Sequence, residues 1–147
     1  MSRSLAETYD LDFYAWALRN AELIREGRLS EIDAEHVAEE LESMGKSQRR
    51  ALSSRLIVLL VHLLKWQYQP DKRSRSWKNT IKVQRLDLRE LLDENPSLQP
   101  SLQEAMVRAY MKARLLAASD TGLDETELPE DCPFTLEQAM DSEYWPH

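Results

Sequence analysis

The chain is poor in cysteine and glycine, and each shortage excludes a class of site. Its single cysteine, Cys132, cannot form an internal disulfide or an all-cysteine zinc site, and it fits a reducing cytoplasm. Three scattered glycines in 147 residues cannot form a glycine-rich phosphate loop. The H-E-x-x-H spacing of zinc proteases is absent as well. No motif in the sequence therefore identifies a reaction.

A long apolar run is also missing from the sequence. The most apolar stretch, residues 56–64, is too short to span a bilayer, which needs about 20 apolar residues. The N-terminus has no apolar core of signal-peptide length. We therefore expect a cytoplasmic protein that makes no membrane contact.

The residues that are abundant favour helix. Charged residues make up 31% of the chain, and alanine, leucine, glutamate and arginine dominate the composition. A chain of 147 residues suits one domain with its own core. We predict a single all-α domain over residues 1–147, an antiparallel bundle of four to five long helices plus a short C-terminal helix. Residues 1–8 are expected to form a loose N-terminal tail.

Capping and breaking residues position the predicted helices. The five long helices are expected at about residues 11–26, 33–44, 46–68, 77–94 and 101–120. Gly45 is expected to separate the second helix from the third, and Pro70 to end the third. Ser76, Ser101 and Thr135 are the predicted N-caps of the last three helices. The third helix, which is the most apolar, should be the innermost.

One side of the third helix carries a set of residues that we call the polar stripe. It occupies about a third of the helix circumference and consists of Arg55, His62, Lys65, Trp66 and Gln69. These residues are either hydrogen-bonded structural groups or the lining of a site. We expect His62 to be mostly buried and hydrogen-bonded to another helix.

Packing of the second predicted helix against the third suggests a candidate site. If the two are antiparallel neighbours, Glu40 comes close to Arg55 or His62. Such a group is either a buried ion-pair network that fixes helix register or an acid–base catalytic site made of Arg55, His62 and Glu40. A metal site made of His36, Glu40 and His62 is the further alternative. The structural network is the favoured interpretation, with no catalytic residue and no metal.

Basic and aromatic side chains interleave where the third helix gives way to the fourth. The candidate ligand-binding residues, which we call the basic corner, are Lys65, Gln69, Arg73, Arg75 and Lys78. Such a cluster can bind phosphate groups and stack bases. In the structural alternative, Trp66 and Trp77 face each other in the core, and Gln69 and Thr80 bond the loop backbone.

Charge is distributed unevenly along the chain. The net charge is −7, yet residues 46–89 are strongly basic and the two ends are acidic. Ion pairs within the molecule would satisfy this pattern, and so would an anionic partner bound to a basic face.

Several motifs resemble one bacterial family. The segments H-L-L-K-W-Q-Y-Q-P (residues 62–70) and R-S-W-K-N-T-I (residues 75–81) resemble the pattern of domain of unknown function 29. Further similar segments are D-F-Y-A-W at 12–16, E-E-L-E-S-M-G at 39–45, N-P-S-L at 95–98 and Y-W-P at 144–146. The resemblance covers nearly the whole chain. It implies an all-helical domain, and it implies no activity or catalytic residue.

These observations favour a small, non-catalytic binding or regulatory module that uses no cofactor. Its expected partner is a protein or an anionic ligand, with nucleic acid as one possibility, and its oligomeric state stays open. The alternative is a hydrolase, metal-dependent or acting on nucleic acid, that uses Arg55 and His62 of the polar stripe.

Overall fold

A computed structural model describes residues 3–147, and these residues are all-α, as predicted. The helices are α1 (Leu5–Leu11), α2 (Phe13–Arg25), α3 (Ala34–Tyr68), α4 (Arg75–Glu94), α5 (Leu102–Thr121) and α6 (Leu136–Met140). Short 3₁₀ turns occur in several of the connections. The chain divides into two compact units, one ending at Ser47 and the other beginning at Gln48. No described helix is both long and apolar enough to cross a membrane.

The first unit contains α1, α2 and the beginning of α3. Ser4 caps α1 by accepting a hydrogen bond from the backbone N–H of Glu7, and Asp12 caps α2 in the same way. The expected loose tail is therefore wrong from Leu5 onwards, because residues 5–8 belong to a capped helix. Met1 and Ser2, also assigned to the tail, lie outside the described residues.

The second unit has a continuous apolar core. Five leucines of α3 are fully buried in it, namely Leu56, Leu59, Leu60, Leu63 and Leu64. Buried side chains from α4 and α5 complete the core, with Ile81 and Leu88 on one helix and Ala113 on the other. The expectation that the most apolar helix is innermost is confirmed within this unit.

The predicted break at Gly45 is wrong, because α3 continues through it as one helix of 35 residues. Glycine in a helix interior costs only about 1 kcal/mol relative to alanine, which a long helix tolerates. The glycines that do end helices are Gly27 after α2 and Gly122 after α5, with φ of 75° and 77°. Only these two adopt the left-handed conformation that favours glycine.

One predicted cap is wrong and another makes no capping bond. Ser74, not Ser76, caps α4 by accepting from the backbone N–H of Trp77 at 3.1 Å. Ser101 occupies the N-cap position of α5 as predicted, but its hydroxyl donates to the carbonyl of Leu98 and caps no backbone N–H. Thr135 caps α6 as predicted, with Gln138 completing a reciprocal capping box.

Candidate anion-binding site

The inner face of α4 carries a buried arginine. Arg85 is 2% exposed and lies between Ile81 and Leu88, which are fully buried on the same face. Its Nε donates to the carbonyl of Ala139 at 2.8 Å, and its Nη2 donates to the carbonyl of Gln138 at 3.3 Å. These two bonds reach carbonyl groups at the C-terminal end of α6, of which that of Gln138 also accepts from the backbone N–H of Asp141.

The third nitrogen of the same guanidinium is left over. Nη1 of Arg85 is buried and has no hydrogen-bond partner. Burial lowers the pKa of Arg85, and the nearby charge of Asp141 opposes that shift. An arginine stays protonated at neutral pH even when its pKa falls, so a positive charge is held here without a bonded carboxylate.

A cavity of about 270 Å³ lies beside this arginine. Its lining residues are Lys82, Arg85, Leu86, Arg89, Ser142 and Glu143. Lys82, Arg85 and Arg89 lie within two turns of α4, and one carboxylate, that of Glu143, faces them. Three cationic groups and a single acid give the cavity a positive balance, which suits a small anion.

The C-terminal segment closes over one side of this region. The ring of Trp145 lies 5.5 Å from Cζ of Arg85 and 5.9 Å from Nζ of Lys78. Its centroid is 4.9 Å from that of Trp66 on α3. The predicted pairing of Trp66 with Trp77 is therefore replaced by a pairing of Trp66 with Trp145. Trp77 instead lies 5.7 Å from the ammonium group of Lys65.

Most of the basic corner makes contacts within the second unit. Lys65 pairs with Asp120 at 2.9 Å, and Arg73 donates to the carbonyl of Trp66 at 2.8 Å while lying over its ring. Arg73 thus bonds backbone in the last turn of α3, whereas Gln69 and Thr80 were expected to bond the backbone of the loop that follows. Arg75 and Lys78 are exposed and Gln69 is half-buried. Lys65 and Arg73 of the basic corner therefore make contacts that stabilise the fold.

The structure does not place the proposed catalytic residues opposite one another. Glu40 and His62 belong to one continuous helix, Glu40 in its part within the first unit and His62 in its part within the second. Arg55 is bonded to Asp87 of α4 at 2.8 Å. The antiparallel packing that was expected to join Glu40 to the other two residues is therefore absent from α3.

His62 bonds its own helix and not another one. Its Nδ1 donates to the carbonyl of Val58 at 2.8 Å, and its side chain is half-buried. The prediction of a partner on a different helix is wrong, because the carbonyl one turn earlier is within reach of the ring. Burial lowers the pKa of His62, and the neighbouring charge of Lys65 acts in the same direction.

His36 and Glu40, the other suggested metal ligands, belong to a network in the first unit. Asp33 accepts from the indole N–H of Trp16 at 2.9 Å and lies 2.7 Å from Nδ1 of His36. The Tyr9 ring stacks on His36, with centroids 4.0 Å apart, and its hydroxyl donates to Glu40. Across residues 3–147, no group of three or more histidine, cysteine or acidic side chains could hold a metal ion.

Hydrogen bonding sets the ionisation of this network. The hydrogen bond that the His36 ring donates to Asp33 raises the pKa of His36. Burial disfavours the ionised form of Asp33, but the hydrogen bonds from Trp16 and His36 outweigh it and lower the pKa of Asp33. The pair is therefore held as carboxylate and imidazolium over a wider pH range than either group alone.

A larger cavity of the second unit offers less chemistry. It measures about 660 Å³ and runs along α5, with Tyr110 and Cys132 in its wall. The hydroxyl of Tyr110 already donates to the carbonyl of Pro129 at 2.5 Å. Burial raises the pKa of the Cys132 thiol, which keeps it in its unreactive form. The smaller cavity at Arg85 is the better candidate because one of its lining residues has an unused donor.

Sequence reasoning missed Arg85 as a site residue. The predicted ligand-binding residues are those of the neighbouring basic corner. The available signal was a charged residue at helical spacing between Ile81 and Leu88. A buried cation needs a partner, so this position pointed to an unassigned interaction.

Fold and site together define an all-helical protein with a cavity lined by three cationic side chains. The family model for "Domain of unknown function DUF29" matches residues 8–145, so the chain belongs to that family. Neither the curated proteins nor the solved structures compared with the chain give a significant match.

Proposed function

We propose that the protein is a non-catalytic binding module that takes a small anionic group, a carboxylate or a phosphate, in the cavity beside Arg85. The observation that carries the proposal is the buried Nη1 of Arg85, which has no hydrogen-bond partner. Leaving a charged donor buried and unpaired costs several kcal/mol, and an anion bound to it removes that cost. Lys82 and Arg89 would add charge at the rim of the cavity.

The fixed geometry of Arg85 supports recognition by this residue. Two of its nitrogens are already bonded to the carbonyls of Ala139 and Gln138, so its orientation is set before a ligand arrives. A preorganised donor loses little side-chain freedom on binding. The ligand supplies the negative charge, and Arg85 supplies a hydrogen-bond donor of fixed direction, as is usual in carboxylate and phosphate sites.

Titration of the protein with inorganic phosphate and with succinate tests the proposal. Isothermal calorimetry at two salt concentrations should detect binding of at least one of the two, weakened by added salt. The preferred anion then distinguishes a phosphate site from a carboxylate site. Absence of heat and of any thermal stabilisation with both anions would overturn the proposal.

Three substitutions separate binding from folding. Lys82→Ala should weaken binding about tenfold without loss of stability, because Lys82 is exposed and makes no ion pair in the described structure. Glu143→Gln should strengthen binding, because it removes the one carboxylate that faces the anion. Lys112→Ala on α5 is the matched control. If it weakened binding as much as Lys82→Ala, the anion would be held by general charge attraction and not by the cavity.

A further inference from the structure

The cavity along α5 is an open groove with an apolar wall. Val107, Met111 and Leu115 line it at intervals of four residues, so they follow one another along one side of the helix. They are 56%, 67% and 56% exposed. Single exposed apolar side chains are common on protein surfaces, but these three border the same cavity of about 660 Å³. They form a continuous apolar surface, which we call the apolar row.

Buried side chains of the second unit's core form the base of this groove. Met106, Tyr110 and Phe134 line it and are all buried. The segment that follows α5 supplies further lining residues, and Arg114 holds this segment to the helix by donating to the carbonyl of Leu128. The groove is thus held in shape before a partner arrives, which keeps the ordering cost of binding low.

Acidic side chains border the same groove. Glu125, Glu130 and Asp131 line it and are exposed, and we call these three the acidic edge. None of them forms an ion pair in the part of the chain that the structure describes. The cation among the lining residues, Arg114, is half-buried and bonded to the carbonyl of Leu128. The groove therefore combines apolar side chains with an excess of negative charge.

We propose that this groove binds a basic amphipathic helix of a partner protein. The apolar face of such a helix would cover the apolar row, and its lysine or arginine side chains would pair with the acidic edge. From Val107 to Leu115 the row extends about 12 Å along α5, which matches about two turns of a docked helix. The flexible side chain of Met111 adapts to the shape of the partner.

Charge and shape select this occupant over two others. A second copy of the chain has a net charge of −7, so it is repelled by an acidic surface. A small molecule needs a pocket that encloses most of its surface, whereas the side chains of the apolar row are more than half exposed. An elongated segment with positive charge beside an apolar face satisfies both features of the groove.

Titration with a designed peptide tests the proposal. The probe is a labelled peptide of about 18 residues made of leucine and lysine, with leucine at helical spacing along one side. Fluorescence anisotropy should give a dissociation constant below about 100 μM, which added salt raises. A peptide with glutamate in place of lysine should bind at least about tenfold more weakly. Equal binding of the two peptides, or no binding of the lysine peptide at about a millimolar protein, would overturn the proposal.

Two neighbouring leucines of α5 provide a matched pair of variants. Leu115 lines the groove, whereas Leu116, which is 48% exposed, is not among its lining residues. Leu115→Gln should weaken binding of the lysine peptide about tenfold, because it removes apolar surface that the peptide covers. Leu116→Gln should leave the dissociation constant unchanged, and circular dichroism checks that both variants are folded. An equal effect of the two substitutions on binding would place the peptide outside the groove.

The acidic edge is tested by a second matched pair. Glu130→Gln combined with Asp131→Asn removes two charges and should weaken binding about tenfold while reducing its dependence on salt. Asp93→Asn combined with Glu94→Gln removes the same charge from exposed residues at the end of α4, away from the lining residues, and should have little effect. If the two double variants weakened binding equally, the peptide would be held by the net charge of the protein and the proposal would be wrong.

Mass measurement distinguishes a partner helix from a second copy. Sedimentation equilibrium of the protein with the lysine peptide should give one chain of 17.2 kDa plus one peptide. A dimer of the protein alone that dissociates on Leu115→Gln would show that a second copy occupies the groove, which would overturn the proposal.

Discussion

The indole rings of Trp66 and Trp145 lie with their centroids 4.9 Å apart, and this contact joins α3 to the C-terminal segment. Because Trp145 also lies over the guanidinium of Arg85, one side chain touches both the helix core and the candidate site. The segment after α6 is thus part of the second unit's core packing.

Trp145→Ala should therefore destabilise the second unit by about 2–3 kcal/mol, through loss of buried aromatic area and of the ring contacts. Urea denaturation monitored by circular dichroism measures this difference. His147→Ala, at an exposed position two residues later, is the control and should change the free energy of unfolding by less than about 0.5 kcal/mol. Equal stability of the Trp145 variant and the parent would contradict the packing role.

Arg73→Ala should cost about 1–2 kcal/mol, because it removes the bond to the carbonyl of Trp66 and the contact with that ring. Gln69→Ala should cost less than Arg73→Ala, which reverses the expectation from sequence that Gln69 fixes this loop. Thermal unfolding of the two variants side by side makes the comparison. A larger loss for Gln69 would restore the original interpretation.

Tyr110→Phe should lower stability by about 1–2 kcal/mol, because the carbonyl of Pro129 loses its donor while the ring stays buried. Burial also raises the pKa of Tyr110 to about 12, so its phenol should ionise above the ordinary value of 10.0 in a spectrophotometric titration, as should that of Tyr9. Tyr14→Phe serves as the control because Tyr14 is 75% exposed. The result would count against the bond if both variants unfolded at the same denaturant concentration.

The pKa values of His36 in the first unit and His62 in the second should depart from the ordinary value of 6.5 in opposite directions. The pKa of His36 is raised by Asp33, and the pKa of His62 is lowered by burial. The stabilising effect of His36 is complete below pH 6.5 and is lost as pH rises through its folded pKa. His62 acts oppositely, since acid below pH 6.5 favours the unfolded chain, where the ring is more easily protonated.

Proton NMR of the imidazole rings measures both shifts directly. His36→Gln and His62→Gln assign the signals, and His147→Gln removes the third histidine. Unfolding curves at about pH 6 and pH 8 then check the link between protonation and stability. The contribution of His36 to stability decreases as pH rises, and the His36 variant should lose that part of the pH dependence. Two unshifted rings would disprove the contacts with Asp33 and Val58.

The all-α fold could be predicted because apolar spacing along the chain is strong and local. The continuation of α3 through Gly45 could not be predicted, because glycine both ends helices and is tolerated inside them. The sequence does not reveal which conformation it adopts. The sequence could not distinguish Ser74 from Ser76 as the cap of α4 either, since both serines precede a helical pattern.

The candidate site was harder to predict than the fold. Arg85 was visible as a charged residue on an apolar face, but its partners Gln138 and Ala139 are distant in sequence. The charge split predicted ion pairs between the basic middle and the acidic ends, and Lys65 with Asp120 fits that pattern. Arg55 does not, because its partner Asp87 also lies within the basic segment. Pairings of this kind depend on tertiary packing, which composition does not encode.

All ten residues from 41 to 50 of α3 are exposed, so a protease should cleave this region of the helix first. Trypsin cuts after lysine and arginine, and Lys46, Arg49 and Arg50 all lie where only helical hydrogen bonds hold the backbone. Brief digestion should therefore cleave there before it reaches the buried turns that follow. A gene split at the same point would encode two fragments, one ending with the first unit and the other retaining the apolar core of the second.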